Sequence, residues 1–168
     1  HVAWNWKAGG AASSNTNGSI TSSVSANPSA GFSIVSYTGN GVNGATIGHG
    51  LSVSPEMVIV KNRDRTSNWH VGGNGVGTVY QYLNLNTTAA IDSATTGFQG
   101  FTSTVFQLGT DTDWNANGED LISYCFHSVD GYSKVGSYTG NGSADGTFVH
   151  CGFRPAYIFT KRTDDNGN

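Results

Sequence analysis

Charge is what this sequence has least of. Only 11% of its 168 residues are Asp, Glu, Lys or Arg, under half the usual share of about 25%. The formal net charge is −3, and the few cations form no basic patch, which argues against a nucleic-acid backbone as partner. No apolar run is long enough to cross a bilayer, so no membrane insertion is expected, and the N-terminal residues lack the charged start and apolar core of a secretion signal. Apolar residues at three- and four-residue spacing with caps at both ends are missing, so no sizeable helix is expected. There are two cysteines, Cys125 and Cys151; without an even framework they read as reduced thiols.

Catalytic signatures are equally sparse. Glycoside hydrolysis needs two carboxyls across a sugar bond, yet the only glutamates are Glu56 and Glu119, and neither belongs to a spaced acidic cluster on a strand. No Gly-x-Ser-x-Gly elbow occurs. Gly72–Gly77, GGNGVG, lacks the Lys-Ser/Thr ending of a phosphate loop. The chain therefore reads as non-enzymatic.

What is abundant is Gly, with Ser, Thr, Asn and aromatic residues, the material of turns and strands. A phrase is also spoken twice. GFSIVSYTGNGVNGATIGHGLSVSPEMVIVK, residues 31–61, returns as GYSKVGSYTGNGSADGTFVHCGFRPAYIFTK, residues 131–161. SYTGNG is unchanged at 36–41 and 137–142, followed in both copies by a Thr, a His (His49, His150), a Pro and a β-rich run ending in Lys. Val2, Trp4 and Trp6 can be laid over Ile122, Tyr124 and Phe126, each set apolar at every second residue. Four segments follow from this internal repeat: residues 1–7, the closing strand of a preceding repeat; 8–30, a flexible linker rich in Gly, Ser and Asn; 31–130, one complete repeat; and 131–168, the opening strands of the next.

Within the complete repeat, period-two runs predict strands at 32–37, 46–49, 57–60, 69–71, 78–85, 104–108 and 121–126. Asn40-Gly41 predicts a tight hairpin turn between the first two. The fold expected is all-β, an antiparallel two-sheet sandwich.

Two groups of residues invite a ligand. Tyr80 and Tyr82 on an outward strand face, with Trp114, offer flat rings for the apolar face of a sugar. Asp111, Asp113, Asn115 and Asn117 place oxygen-bearing side chains at alternate positions, as at the start of a calcium loop. The pattern departs from that loop at Ala116 and Ile122, and a plain polar hairpin accounts for it without an ion. Calcium is the one candidate cofactor; otherwise none is expected. His49 and His150, recurring with the repeat, read as fold anchors.

The unit GFSIVSYTGNG, GHGLSVSPEMVIVKNRD, NWHV, YLNLNTT, STVFQLGTD, NANGEDLISYCFH resembles a repeat domain of structural and tail-fibre-like proteins of marine bacteriophages, including those of cyanobacteria. The strand order also resembles concanavalin A-like jelly-roll sandwiches, a likeness of fold that does not fix function. The resemblance implies a structural and adhesion module of a phage fibre or virion surface, made in the bacterial host cytoplasm and extracellular after release. Its partners would be further copies of the chain, neighbouring virion subunits or a host-surface glycan. A narrower carbohydrate-binding module and a sandwich-fold glycan hydrolase are the competing function classes.

Overall fold

The computed structural model describes residues 5–164. It is nearly all β. Eleven strands form antiparallel pairs in two sheets: β1 (Ser13–Asn15), β2 (Ser22–Asn27), β3 (Phe32–Thr38), β4 (Ala45–Gly48), β5 (Met57–Asn62), β6 (His70–Gly72), β7 (Gln81–Asn84), β8 (Asp92–Ser93), β9 (Phe98–Phe101), β10 (Val105–Leu108) and β11 (Asp120–Phe126). The large sheet runs β1-β2-β3-β11-β5-β6-β7-β8 and the small one β4-β10-β9. Among the described residues the helical elements are a 3-10 turn, Pro28–Ala30, between β2 and β3, and one short α-helix, α1 (Thr112–Asn115), before β11. Among the described residues no helix is long and apolar enough to cross a membrane.

The core lies between the sheets. Val35, Val58, Val60, Leu121 and Cys125 of the large sheet share one buried cluster with Ile47, Phe98, Phe106 and Leu108, and with Trp114 of α1. Alternation accounts for this: on β5 and β11 every second residue is fully buried and the others are half-exposed. Two glycines admit the large rings. A Cβ on Gly97 would stand 1.9 Å from the Trp114 indole, and one on Gly72 2.3 Å from the Phe98 ring.

Several expectations are corrected. Asn40-Gly41 does not close a hairpin, because β3 and β4 belong to different sheets and β4 pairs with β10. The loop crosses the core instead, and its polar backbone is met from the far side by residues 114–120. Tyr37 Oη donates to the Trp114 carbonyl (2.9 Å), and Thr38 Oγ1 to Asp120 Oδ1 (2.9 Å). Gly39 N–H donates to the Glu119 carbonyl (2.9 Å), Asn40 N–H to Asn115 Oδ1 (3.0 Å) and Gly41 N–H to the Asn115 carbonyl (2.9 Å). Asn115 Nδ2 completes the contact by donating to the carbonyls of Val42 (3.0 Å) and Gly109 (2.9 Å). Five of the six residues of SYTGNG are thus bound by one short stretch; the first, Ser36, pairs with Ile122 on β11.

Residues 8–30 are not a flexible linker. They carry β1 and β2, and β2 pairs with β3 along its length. The segment between β2 and β1 lies along β4: Ile20 N–H donates to the Thr46 carbonyl (3.0 Å) and Ser22 Oγ to the Gly48 carbonyl (2.9 Å). Small polar residues hide this role, since most of the apolar contribution comes from Ile20 and Val24, both buried. The hairpin covers an edge of each sheet at once.

The first expected strand falls mainly on residues outside those described; Asn5 and Trp6 are not in a strand. Trp6 packs on Phe32 (ring centroids 6.0 Å) and Phe126 (5.7 Å). The expected strand at 78–85 shortens to β7, because Tyr80 takes a left-handed φ of 74° in the preceding turn. Residues 86–100, where no strand is expected, carry β8 and the start of β9. The second copy of the repeat forms no strand among its described residues, and only the bridge Val129↔Ser133 marks its start.

Because Asn115 is fully buried and joins three backbone groups, Asn115→Leu keeps the volume but strands those groups without partners. Each such loss costs about 1–3 kcal/mol. The variant is expected to lose at least about 3 kcal/mol, read as a lowered urea midpoint at unchanged slope.

Candidate functional site

The large sheet has two apolar faces. Directly paired residues of antiparallel strands point to the same side, so Ile34, Tyr124 and Ile59 form one row on the face away from the core, continued by Val71 and Leu83. Phe32, Phe126 and Met57 form the next row. Ile34, Tyr124, Ile59, Phe126 and Met57 are half-exposed. Trp69, immediately before β6, stacks on Tyr124 with ring centroids 6.4 Å apart and planes at 26°, and is 38% exposed.

Two amides lie beside the Trp69 backbone. The Trp69 backbone N–H donates to Asn86 Oδ1 (2.9 Å), and Asn86 Nδ2 donates to Asn68 Oδ1 (3.0 Å). Lys61 curls under the neighbouring loop, its Nζ donating to the Asn62 carbonyl (2.7 Å) and Ser67 Oγ (3.0 Å). A partly exposed aromatic surface suits the apolar face of a sugar ring. Residue-by-residue reading missed Trp69 and Tyr124 as a pair because they are distant in sequence. The available signal was that β5 and β11 lack a polar side.

Four of the sequence-predicted residues meet elsewhere, around His70. Its Nε2 lies 3.3 Å from Asp113 Oδ2. Tyr82 packs edge-on against His70 (5.6 Å) and Trp114 (5.0 Å), and His70 lies 4.8 Å from Trp114. Tyr82 Oη donates to Asp92 Oδ2 (3.2 Å), and Asp111 caps α1 by accepting from Asp113 N–H (2.9 Å). Trp114, however, is 1% exposed, so it is a core residue and no platform for a sugar. Tyr80 is exposed and stands apart in the turn.

The calcium pattern also disperses. Asp111 and Asp113 serve the cap and His70, Asn115 is buried with both polar atoms bonded to backbone, and Asn117 is exposed. Among the described residues no group of three His, Cys, Asp or Glu side chains is placed to hold a metal ion.

His49 is an anchor of the fold. Its Nδ1 accepts from Leu51 N–H (3.1 Å), which leaves the proton on Nε2 to donate to the Thr102 carbonyl (3.1 Å). Both glutamates are engaged in holding loops. Glu119 binds Arg65 and Asn62 Nδ2, and Arg65 holds its carboxyl below the usual range. Glu56 accepts the Ser128 N–H. Burial pushes the Cys125 thiol up to about 12, so it stays protonated and unreactive at neutral pH.

Burial lowers the pKa of His70, and Asp113 partly opposes that; burial lowers His49 as well. An imidazole with a folded-state pKa below its unfolded value takes up protons first in the unfolded chain. Stability is therefore present above the ordinary histidine value and lost as pH falls through it toward the folded-state value. Unfolding free energy is expected to drop between pH 7 and 5, with a shallower drop in His70→Gln. In Asp113→Asn the His70 titration, followed by NMR, is expected to move to still lower pH.

Comparison with known proteins gives one match. No curated protein and no solved structure matches the chain. The profile of a domain of unknown function, DUF7483, matches residues 1–168. With the whole length covered, the chain belongs to the DUF7483 family.

Proposed function

We propose that the chain is a non-catalytic structural and adhesion module, of the kind that forms a fibre or virion surface, and that it attaches through the outward face of its large sheet. The observation that carries this reading is that face: Ile34, Tyr124 and Ile59 in one half-exposed row with Trp69 stacked on Tyr124. A solvated sheet face is ordinarily polar at every second residue. Contiguous apolar area on a surface marks a place of contact.

The preferred ligand class is a host-surface glycan, favoured by the exposed Trp69 ring, with the Asn86 amide bonded to the Trp69 backbone and the Asn68 amide beyond it. The fold, on this reading, is a jelly-roll-like sandwich repeated along the chain. Support for a non-enzymatic role comes from the two glutamates, whose carboxylates hold Arg65 and the Ser128 amide. It comes also from the repeat, which keeps turn and strand positions while its polar connections differ: residues 62–65 read NRDR and 162–165 RTDD. A surface that meets varied partners changes its loops on a constant scaffold.

Binding of the full chain to a glycan array and to intact bacterial cells tests the proposal. Trp69→Ala is expected to weaken binding about tenfold or more, the scale of losing 1–2 kcal/mol of ring contact, with little change in the unfolding midpoint. Binding unaffected by Trp69→Ala and Tyr124→Ala would remove the face from the reading. Polysaccharide cleavage that disappears in Glu119→Ala or Asp113→Ala would overturn the reading itself.

A further inference from the structure

Among the described residues the second SYTGNG has no counterpart of the contacts that hold the first. Residues 36–41 are bound by 114–120, whereas 137–142 lie exposed, and apolar side chains that are buried in the first copy face outward in the second. Tyr37 is 4% exposed and Tyr138 56%; Ile47 is 0% and Phe148 87%; Val58 is 0% and Ile158 71%. His49 is buried and His150 exposed. Leaving these apolar side chains in water is unfavourable by about 1.5–3 kcal/mol each. The segment carries the chemistry of a core without the core.

The turn nevertheless holds its shape. Ser143 N–H donates to Asn141 Oδ1 (3.0 Å), as Val42 N–H does to Asn40 Oδ1 (2.9 Å). Gly142 has φ 68° where Gly41 has 66°. The loop is thus set for its partner before the partner is present, which lowers the entropy cost of binding it.

Two substitutions show that the second copy is adapted to its own surroundings. Aligning 36–50 with 137–151 places Gly48 against Val149 and Gly50 against Cys151. In the first copy a Cβ on Gly50 would meet Val24 Cγ1 at 2.7 Å, and one on Gly48 would meet Asn15 Oδ1 at 2.1 Å. Val24 and Asn15 both belong to the β1–β2 hairpin, which occupies residues 8–30 ahead of the first copy. Ahead of the second copy only residues 127–130 separate β11 from Gly131, too few for such a hairpin. Side chains have returned where the hairpin that excluded them is absent.

We propose that residues 131–161 form a docking element for the second half of a repeat unit: a segment with the chemistry of Asp111–Phe126, in which an Asn on a capped helical turn grips the TGNG backbone and the following strand pairs beside it. The occupant is identified by complementarity. SYTGNG is identical in the two copies, and in the first copy the residues that bind it are Trp114, Asn115, Glu119, Asp120 and Ile122. This inference goes beyond the adhesion reading and does not depend on it.

Hydrogen exchange on two proteins tests it. One is the chain as it stands; the other is the same chain carrying a further copy of its own residues 62–130 after Lys161. In the first, the amides of 36–41 should be protected and those of 137–142 exchange freely. In the second, 137–142 should slow at least about a hundredfold, the range separating exposed loops from paired structure. Changing the appended equivalent of Asn115 to Leu should restore fast exchange at 137–142 while leaving 36–41 protected. If the appended copy stays unstructured, or if 137–142 exchange at the same rate in both proteins while 36–41 remain protected, the proposal is wrong.

Discussion

The grip of residues 114–120 on the loop between β3 and β4 is the contact on which the rest of this fold depends. A chain that leaves one sheet and enters the other must carry its backbone amides and carbonyls across the edge of an apolar core, and unpaired polar groups there are costly. Asn115 resolves the problem with one side chain that accepts from one strand-end amide and donates to two carbonyls. Its neighbour Trp114 fills the core below while its carbonyl takes the Tyr37 hydroxyl. Two adjacent residues therefore set both the spacing of the sheets and the path between them. In the first copy, five of the six residues of SYTGNG are fixed by this one contact.

A second constraint is the double apolar character of the large sheet. Its inner face needs the small sheet; on its outer face Trp6 lies over Phe32 and Phe126, Val71 and Leu83 are buried, and Ile34, Tyr124 and Ile59 between them stay half-exposed. The outer face cannot be explained by stability of the isolated chain, since alternation with polar residues would serve that better. The cluster around His70 is different in kind. It is a seam where β6, β7 and α1 meet, and its buried imidazole makes the seam sensitive to acid.

Much of the fold is legible in the sequence because strand period is a local property. β3, β5, β10 and β11 fall where alternation places them, and the β class follows from composition. The β1–β2 hairpin is not legible, because serine-rich strands bury little and gain their place from pairing with β3 and β4. The role of Asn40-Gly41 is misread for a related reason: a dipeptide specifies a turn's dihedrals but not which sheet the chain enters afterwards. Of the candidate site, Asp111, Asp113, Tyr82 and Trp114 do come together, around a histidine that no spacing rule connects to them. Trp69 and Tyr124 meet only through the pairing of β11, β5 and β6.

The contact between Trp6 and Phe126 has a mechanical meaning. Everything from Lys7 to Cys125 is a loop of chain gathered at one neck, where those two rings and Phe32 touch. Tension applied between Trp6 and Phe126 therefore loads the ring contacts first and, once these part, the Phe126 end of β11, where Phe32 of β3 and Met57 of β5 hold it from both sides.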